Sequence, residues 1–356
     1  MRTTGPRSTP CGGCATTWPQ VCPGVTEPAG PTRPAGDPGA APRVGLVLNP
    51  HGRRAARARQ ELTAALADVD APAPTVLTTT VDSPGADQAR RLLAAQVDLV
   101  VVAGGDGTVR EVARVLAGTG VPLGIIPTGT ANIVARNLAL PRRDVRRAVA
   151  LALTGAELRM DVGLARMRTG HRGPVESAFL VMAGIGRDAQ TVAATGVRLK
   201  RWLGWLAYFA AGIRHVLRRP LPLTVDLDGC PRKARTWTVL FGNLPRVPGG
   251  IAVFPAAVPD DGMLETLELP LRSPLDWLVV ARSGLSGRPC RGPALTYGRT
   301  ARARVTSAAP LPVQLDGDVV RDVLDLEVGL LPGALTVRHG IGVPRIASAT
   351  ETGVLH

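Results

Sequence analysis

Three glycines and one carboxylate crowd into Gly104-Gly105-Asp106-Gly107-Thr108, directly after the apolar run Leu99 to Val102 and directly before a helical pattern from Val109 to Leu116. At the carboxyl end of a buried strand, residues without Cβ atoms let the backbone turn sharply and bring its N–H groups close to an anion. Thr108 and Glu111 have the T-x-x-E spacing of a capping box, which predicts a helix starting there with its positive end toward the loop. Phosphate binding is the chemistry such a bend supports. The glycine spacing is not the dinucleotide G-x-G-x-x-G, and no Lys-Ser/Thr pair follows as in a Walker A loop. A plain strand-to-helix turn with an aspartate among glycines accounts for the same five residues.

A second bend weakens that plainer reading. Ile126-Pro127-Thr128-Gly129-Thr130-Ala131-Asn132 again ends an apolar strand and opens a helix, placing a hydroxyl at a helix amino terminus. Two such loops on neighbouring strands form one cleft at the carboxyl edge of a doubly wound sheet, where such folds bind ligands. A nucleotide phosphate is its natural occupant.

The elements that must hold these loops alternate regularly. Strands are expected at Val44–Asn49, Val76–Thr79, Leu99–Val102 and Leu123–Ile126, and helices at Ala55–Leu66, Ala86–Ala95, Val109–Leu116, Ala131–Leu138 and Val145–Leu153. Apolar strands separated by helices indicate a parallel sheet covered on both faces. The period then changes to two, at Leu223–Asp228 and Leu324–Val328, as in antiparallel strands with one buried face. The expected fold is an α/β amino-terminal domain with a doubly wound, mostly parallel sheet, followed by a mostly antiparallel β-sandwich domain. Residues 43–158 form the nucleotide-binding domain, 159–320 the β-sandwich and 321–345 strands closing the fold, with 346–356 a tail. Residues 1–42, rich in Pro, Gly, Thr and Ala without a sustained period, read as a disordered extension.

Composition limits the function classes. The 356 residues suggest two folded units, at roughly 100–200 residues per domain. A net charge of +14 favours anionic partners, and aromatics at 3% are too sparse for base-stacking platforms, so phosphate or lipid is expected rather than nucleic acid. Cys11, Cys14, Cys22, Cys230 and Cys290 are odd in number and do not form a disulfide framework or a paired zinc motif. No signal peptide is evident, and Trp202–Leu217, interrupted by Arg214 and His215, falls short of the roughly 20 apolar residues of a spanning helix. A cytoplasmic protein is expected, with Lys200–Arg219 as an aromatic-rich helix lining a lipid groove or touching an anionic membrane surface, or simply packing on the sandwich. The sequence leaves a homodimer open.

In its ordered pieces the chain resembles the diacylglycerol kinase catalytic-domain family, especially its soluble bacterial lipid kinases and their sphingosine-kinase-like relatives. The pieces are LVLNP at 46–50, GGDGTVREV at 104–112, PTGTANIVARNLALP at 127–141 and DVG at 161–163. AGIGRDA at 183–189, LGWLAYFAAGI at 203–213, PDDGML at 259–264 and QLDGD at 314–318 follow in order.

The resemblance implies transfer of the γ-phosphoryl group of ATP to a lipid hydroxyl. Carried over by position, Gly105, Asp106, Gly107, Thr108, Val109, Arg110 and Glu111 would bind ATP, with Thr79 and Thr130 beside them. Asp106 would hold Mg²⁺ through water and Asp161 would extend that network. Where the family has L-D-G-E, with Glu as the base, this chain has Leu315-Asp316-Gly317-Asp318, so Asp318 keeps the acid but reaches about 1.5 Å less far. Asp261, with the main-chain carbonyls of Val258 and Met263, resembles the family's structural Mg²⁺ loop, though Asp260-Asp261-Gly262 also reads as a metal-free turn. An NAD kinase, which shares the G-G-D-G-T loop, and a nucleotide or lipid sensor without turnover are the alternatives. A nucleic-acid-binding protein has only the charge in its favour.

Overall fold

The computed structural model describes residues 41–52, 54–170, 173–186, 220–247, 251–271, 276 and 295–340. The expected helix at Lys200–Arg219, the amino-terminal extension apart from its last two residues, four of the five cysteines and the carboxyl tail lie outside these residues. Among the described residues no helix is long and apolar enough to cross a membrane.

The amino-terminal lobe alternates strand and helix: β1 (Val44–Leu48), α1 (Ala55–Ala67), β2 (Thr75–Thr78), α2 (Ala86–Ala94), β3 (Leu99–Gly104), α3 (Asp106–Leu116), β4 (Leu123–Pro127), α4 (Ile133–Asn137) and α5 (Val145–Thr154). Strands β1, β3 and β4 are buried along their whole length, which is why they carry unbroken apolar runs. They pair in parallel in the order β4-β3-β1-β2. Helix α1 buries Ala55, Ala58, Leu62 and Leu66 on one face and packs with α5. Helix α3 buries Val109, Val112, Ala113 and Leu116 on the other face and packs with α2. Both faces of the sheet are thus covered, as the sequence pattern predicts.

The second lobe contains β5 (Ala156–Thr169), β6 (Val175–Phe179), β7 (Met182–Gly186), β8 (Leu221–Leu227), β9 (Cys230–Thr236), β10 (Thr238–Gly242), β11 (Leu264–Leu269), β12 (Thr296–Thr300), β13 (Arg302–Leu315) and β14 (Asp318–His339). Apart from the parallel contact of β14 with β4, these strands pair antiparallel, enclosing a core that includes Phe179, Val225, Phe241, Val305 and Leu326. Two strands are much longer than any sequence segment suggested. β5 spans 14 residues and β14 spans 22, and they pair along most of their length. The far end of β14 enters the first lobe, where Val337 pairs in parallel with Leu123 of β4. The two lobes are therefore joined by sheet hydrogen bonds as well as by side chains.

Candidate active site

The chain passes from β1 to β2 on one side and then crosses over to β3 and β4 on the other, so the topological switch point lies between β1 and β3. The two glycine-containing loops leave adjacent strands at that edge and touch each other. Thr128 N and Gly129 N both donate to Gly104 O, at 3.0 and 3.3 Å. A Cβ on Gly129 would stand 2.6 Å from the Gly105 Cα, an approach that only a bare backbone permits. From the β1 side, Asn49 Nδ2 donates to Thr108 Oγ1 at 3.3 Å and holds the first loop from below.

The capping box expected at Thr108 and Glu111 does not form. Helix α3 begins three residues earlier than the expected Val109, at Asp106, with the extended Gly105 as N-cap and no side chain capping it. Thr108 is buried inside the first turn and bonded to Asn49, while Glu111 pairs with Arg114 at 3.2 Å. The Asp106 carboxylate instead caps another helix. Its Oδ1 accepts from Ile133 N at 2.6 Å and Val134 N at 3.3 Å, the opening donors of α4. Helix α4 itself is shorter than expected because Asn132 takes a left-handed conformation, φ 47°, and leaves residues 128–132 as loop. Burial raises the Asp106 carboxyl above its ordinary value, and the bonds from Val134 and Ile133 oppose that rise.

The other residues assigned to the nucleotide separate by position. Gly107 is exposed, with nothing within 4 Å of where a Cβ would be, and Thr130 is exposed at the rim. Val109 is in the core and offers at most its backbone. Thr79 is buried at the end of β2, about 10 Å from the first loop by the usual spacing of two strands.

The second lobe presents its acids on a hairpin. Leu315 pairs with Asp318, and the two residues between them, Asp316 and Gly317, both have positive φ, 50° and 97°. That is the Asp-Gly signature of a type I′ turn. Asp316 is partly buried, and its carboxylate accepts three backbone N–H groups, from Leu180, Val181 and Met182, at 2.8–2.9 Å. Its role is to pin the turn. Burial raises its carboxyl, against these three donors and the nearby Arg110. Asp318, one step beyond, is exposed and bonded to Arg110, whose Nη2 donates to its Oδ2 at 2.5 Å. The Arg110 guanidinium, which the resemblance places among the nucleotide contacts, thus lies against the far lobe.

Asp161 lies elsewhere, on β5. Its oxygens accept Gly262 N and Gly333 N, each at 2.7 Å, and its own N–H donates to Pro259 O at 2.6 Å. It organises the 259–262 turn, and burial raises its carboxyl. In that turn Asp261 Oδ1 accepts Met263 N at 3.0 Å and its Oδ2 is paired with Arg299. The turn keeps its shape as an Asx turn, with Arg299 beside the carboxylate that would serve a cation together with the Val258 and Met263 carbonyls. Among the described residues no cluster of three or more His, Cys, Asp or Glu is placed to hold a metal.

Sequence reasoning missed two asparagines that brace the site, one between the lobes and one within the second lobe. Asn137 at the end of α4 exchanges hydrogen bonds with the Arg246 backbone, Nδ2 to O and N to Oδ1, each at 2.9 Å. The fully buried Asn243 donates to Asp161 O and Leu180 O at 2.9 and 3.0 Å, linking the Asp161 turn to the segment that Asp316 pins. The polar Asn137 inside an apolar helical stretch was the only signal available. The Asp-Gly pair at 316–317 was a readable turn signal.

This arrangement has relatives. Residues 43–165 match the model of the diacylglycerol kinase catalytic domain, and residues 180–339 match that of the YegS C-terminal NAD kinase beta sandwich-like domain. The chain is 33% identical over 264 residues to a diacylglycerol kinase of Mycobacterium tuberculosis, covering 72% of this chain and 83% of that one. A diacylglycerol kinase of Bacillus subtilis is 28% identical over 241 residues, covering 67% and 74%. In fold it is similar to a crystal structure of a putative diacylglycerol kinase from Bacillus anthracis, with a TM-score of 0.66 at 24% identity, covering 84% of this chain and 98% of that one. The chain belongs to the diacylglycerol kinase family of lipid kinases.

Proposed function

We propose that the protein transfers the γ-phosphoryl group of ATP to the hydroxyl of a diacylglycerol-like lipid, with MgATP as the phosphoryl donor and Asp318 as general base. The observation that carries this reading is the position of Asp318. It stands exposed on the second lobe while bonded to Arg110, one helical turn past the glycine loop that would hold the phosphates.

In this reading the free N–H groups at the start of α3, with the bare backbone of Gly105 and Gly107, receive phosphate oxygens. Thr130 adds a hydroxyl from the second loop, and Thr79 stands farther along the same edge. Mg²⁺ commonly binds through one or two carboxylates plus substrate phosphates, so Asp106 alone is an adequate protein contact for a cation that arrives with ATP. Asp161 acts at a distance, by shaping the wall behind the hairpin. The bond from the γ-phosphorus to the bridging oxygen of ADP breaks and a bond to the lipid oxygen forms. The hydroxyl proton passes to Asp318, which must lie within hydrogen-bond reach of that oxygen. A lipid acceptor requires working at a membrane surface, and the positive net charge favours an anionic one.

NAD kinase activity is the competing reading, because the carboxyl-terminal match is to an NAD-kinase-like sandwich. Incubation with γ-labelled ATP and either diacylglycerol in mixed micelles or NAD separates the two. Label in the organic phase supports lipid transfer, and label on NAD alone rejects it.

A further inference from the structure

We infer that Arg110 is the positioning residue for Asp318: its guanidinium spans from the nucleotide lobe to the hairpin and sets where the base stands. The inference rests on the assignment of Asp318 as base and adds what holds that base in place.

Arg110 lies on the first turns of α3, and its side chain is 11% exposed although it carries a full charge. Two of its donors grip both arms of one turn. Nη1 donates to Leu315 O at 2.9 Å and Nη2 to Asp318 Oδ2 at 2.5 Å, and Leu315 and Asp318 are the residues paired directly across the Asp316-Gly317 turn. The turn beneath cannot shift to compensate, because Asp316 fastens it to Leu180, Val181 and Met182 and Gln314 Oε1 accepts Gly317 N at 3.1 Å. What stays free without Arg110 is the Asp318 side chain, 70% exposed and held by no other hydrogen bond or ion pair among the described residues. With Nη1 anchored on the Leu315 carbonyl, the planar fork aims Nη2 at one Asp318 oxygen, a fixed geometry that an ammonium lacks.

Stability does not explain the pair. One partner is largely in water, where such ion pairs contribute little. Arg110 Nε is moreover buried without a partner, a costly arrangement for a contact that served folding alone. Geometry is what the contact supplies. General-base catalysis is sensitive to it, since a misplacement of about 1 Å can cost on the order of 100-fold in rate. Asp318 is one carbon shorter than a glutamate would be, so it has less freedom to find the acceptor hydroxyl unaided.

The test compares Arg110→Ala, Arg110→Lys, Asp318→Asn and the Arg110→Ala/Asp318→Asn double variant. It measures kcat, the KM values for ATP and lipid, and affinity for a fluorescent ATP analogue. Arg110→Ala is expected to lower kcat about 10- to 100-fold with analogue affinity within about twofold of wild type. Arg110→Lys is expected to recover part of the rate, and the double variant to be no slower than Asp318→Asn alone. A fall in analogue affinity of about tenfold or more with kcat kept would make Arg110 a nucleotide ligand and overturn the inference, as would losses that multiply in the double variant. Full activity of Arg110→Ala beside an inactive Asp318→Asn overturns the inference alone. Wild-type turnover by Asp318→Asn overturns the base assignment and this inference with it. Should the alanine variant fail to fold, Arg110→Gln, similar in size and uncharged, answers the same question.

Discussion

Asp106 accepts the backbone N–H of Ile133 at 2.6 Å, so the acid at the tip of the first glycine loop is the cap of the helix that follows the second. The capping side chain thus serves α4 rather than α3, where the sequence pattern placed one, and it ties the two loops together. Removing a helix cap costs about 1 kcal/mol and up to about 2. Asp106→Ala should lower unfolding free energy in urea by that amount and weaken binding of an ATP analogue more than about tenfold. Unchanged affinity would free Asp106 from the site.

Gly107 and Gly129 make a second, sharper comparison. Gly107 has open space around its missing Cβ and lies within α3, so Gly107→Ala should keep or slightly raise stability, by up to about 1 kcal/mol. If phosphates lie against that bare backbone, the same variant loses nucleotide affinity. Gly129→Ala must push its loop from Gly105 and should cost both stability and affinity. Thermal melts paired with titrations of the ATP analogue read both effects. A Gly107→Ala protein that binds nucleotide normally would place the phosphates elsewhere.

The acids of the 315–318 hairpin have opposite expectations. Asp316→Ala leaves three buried N–H groups without an acceptor and should destabilise the fold by roughly 3 kcal/mol. Asp318→Asn should change stability by less than about 1 kcal/mol, since the side chain is mostly in water. Urea unfolding of both variants checks this division. Equal losses would contradict it.

Glu265 supplies a pH test unrelated to the active site. It is buried on β11 and accepts Ala256 N at 2.9 Å, and burial pushes its carboxyl up to about 7, against that bond, one from Ala257 and the charge of Arg299. The folded chain thus keeps a proton that the unfolded chain releases near pH 4.5. This contribution to stability is complete below about pH 4.5 and is lost as pH rises through about 7. A glutamine there does not titrate. Between pH 5 and pH 8 the wild type should lose up to about 3 kcal/mol relative to Glu265→Gln in urea unfolding. Parallel pH profiles for the two proteins would show that Glu265 titrates normally.

What the sequence made legible was local. The glycine bends, the parallel alternation and the apolar faces of α1 and α3 follow from neighbours in the chain, and in the first lobe the strand and helix positions agree to within a few residues. The contacts that complete the site join residues far apart: Arg110 with Asp318 across 208 positions, Asn137 with Arg246 across 109, and Asp106 with Ile133 across 27. A polar side chain does not disclose its partner in advance. The length of β14 was hidden for another reason. Its ladder with β5 shifts register between Val323 and Asp325 and again between Leu331 and Leu335, and each shift breaks the period of two by which a strand is read.

The proposed reaction passes a phosphoryl group held by the two glycine loops to a lipid hydroxyl deprotonated by Asp318. Its most direct test measures label transfer from γ-labelled ATP to diacylglycerol, together with ATP-analogue affinity, for wild type and Asp318→Asn. Labelled phosphatidate is expected from the wild type, with a loss of about 100-fold or more in the variant and affinities within about twofold. A variant as fast as the wild type, or a wild type that labels no lipid, would contradict it.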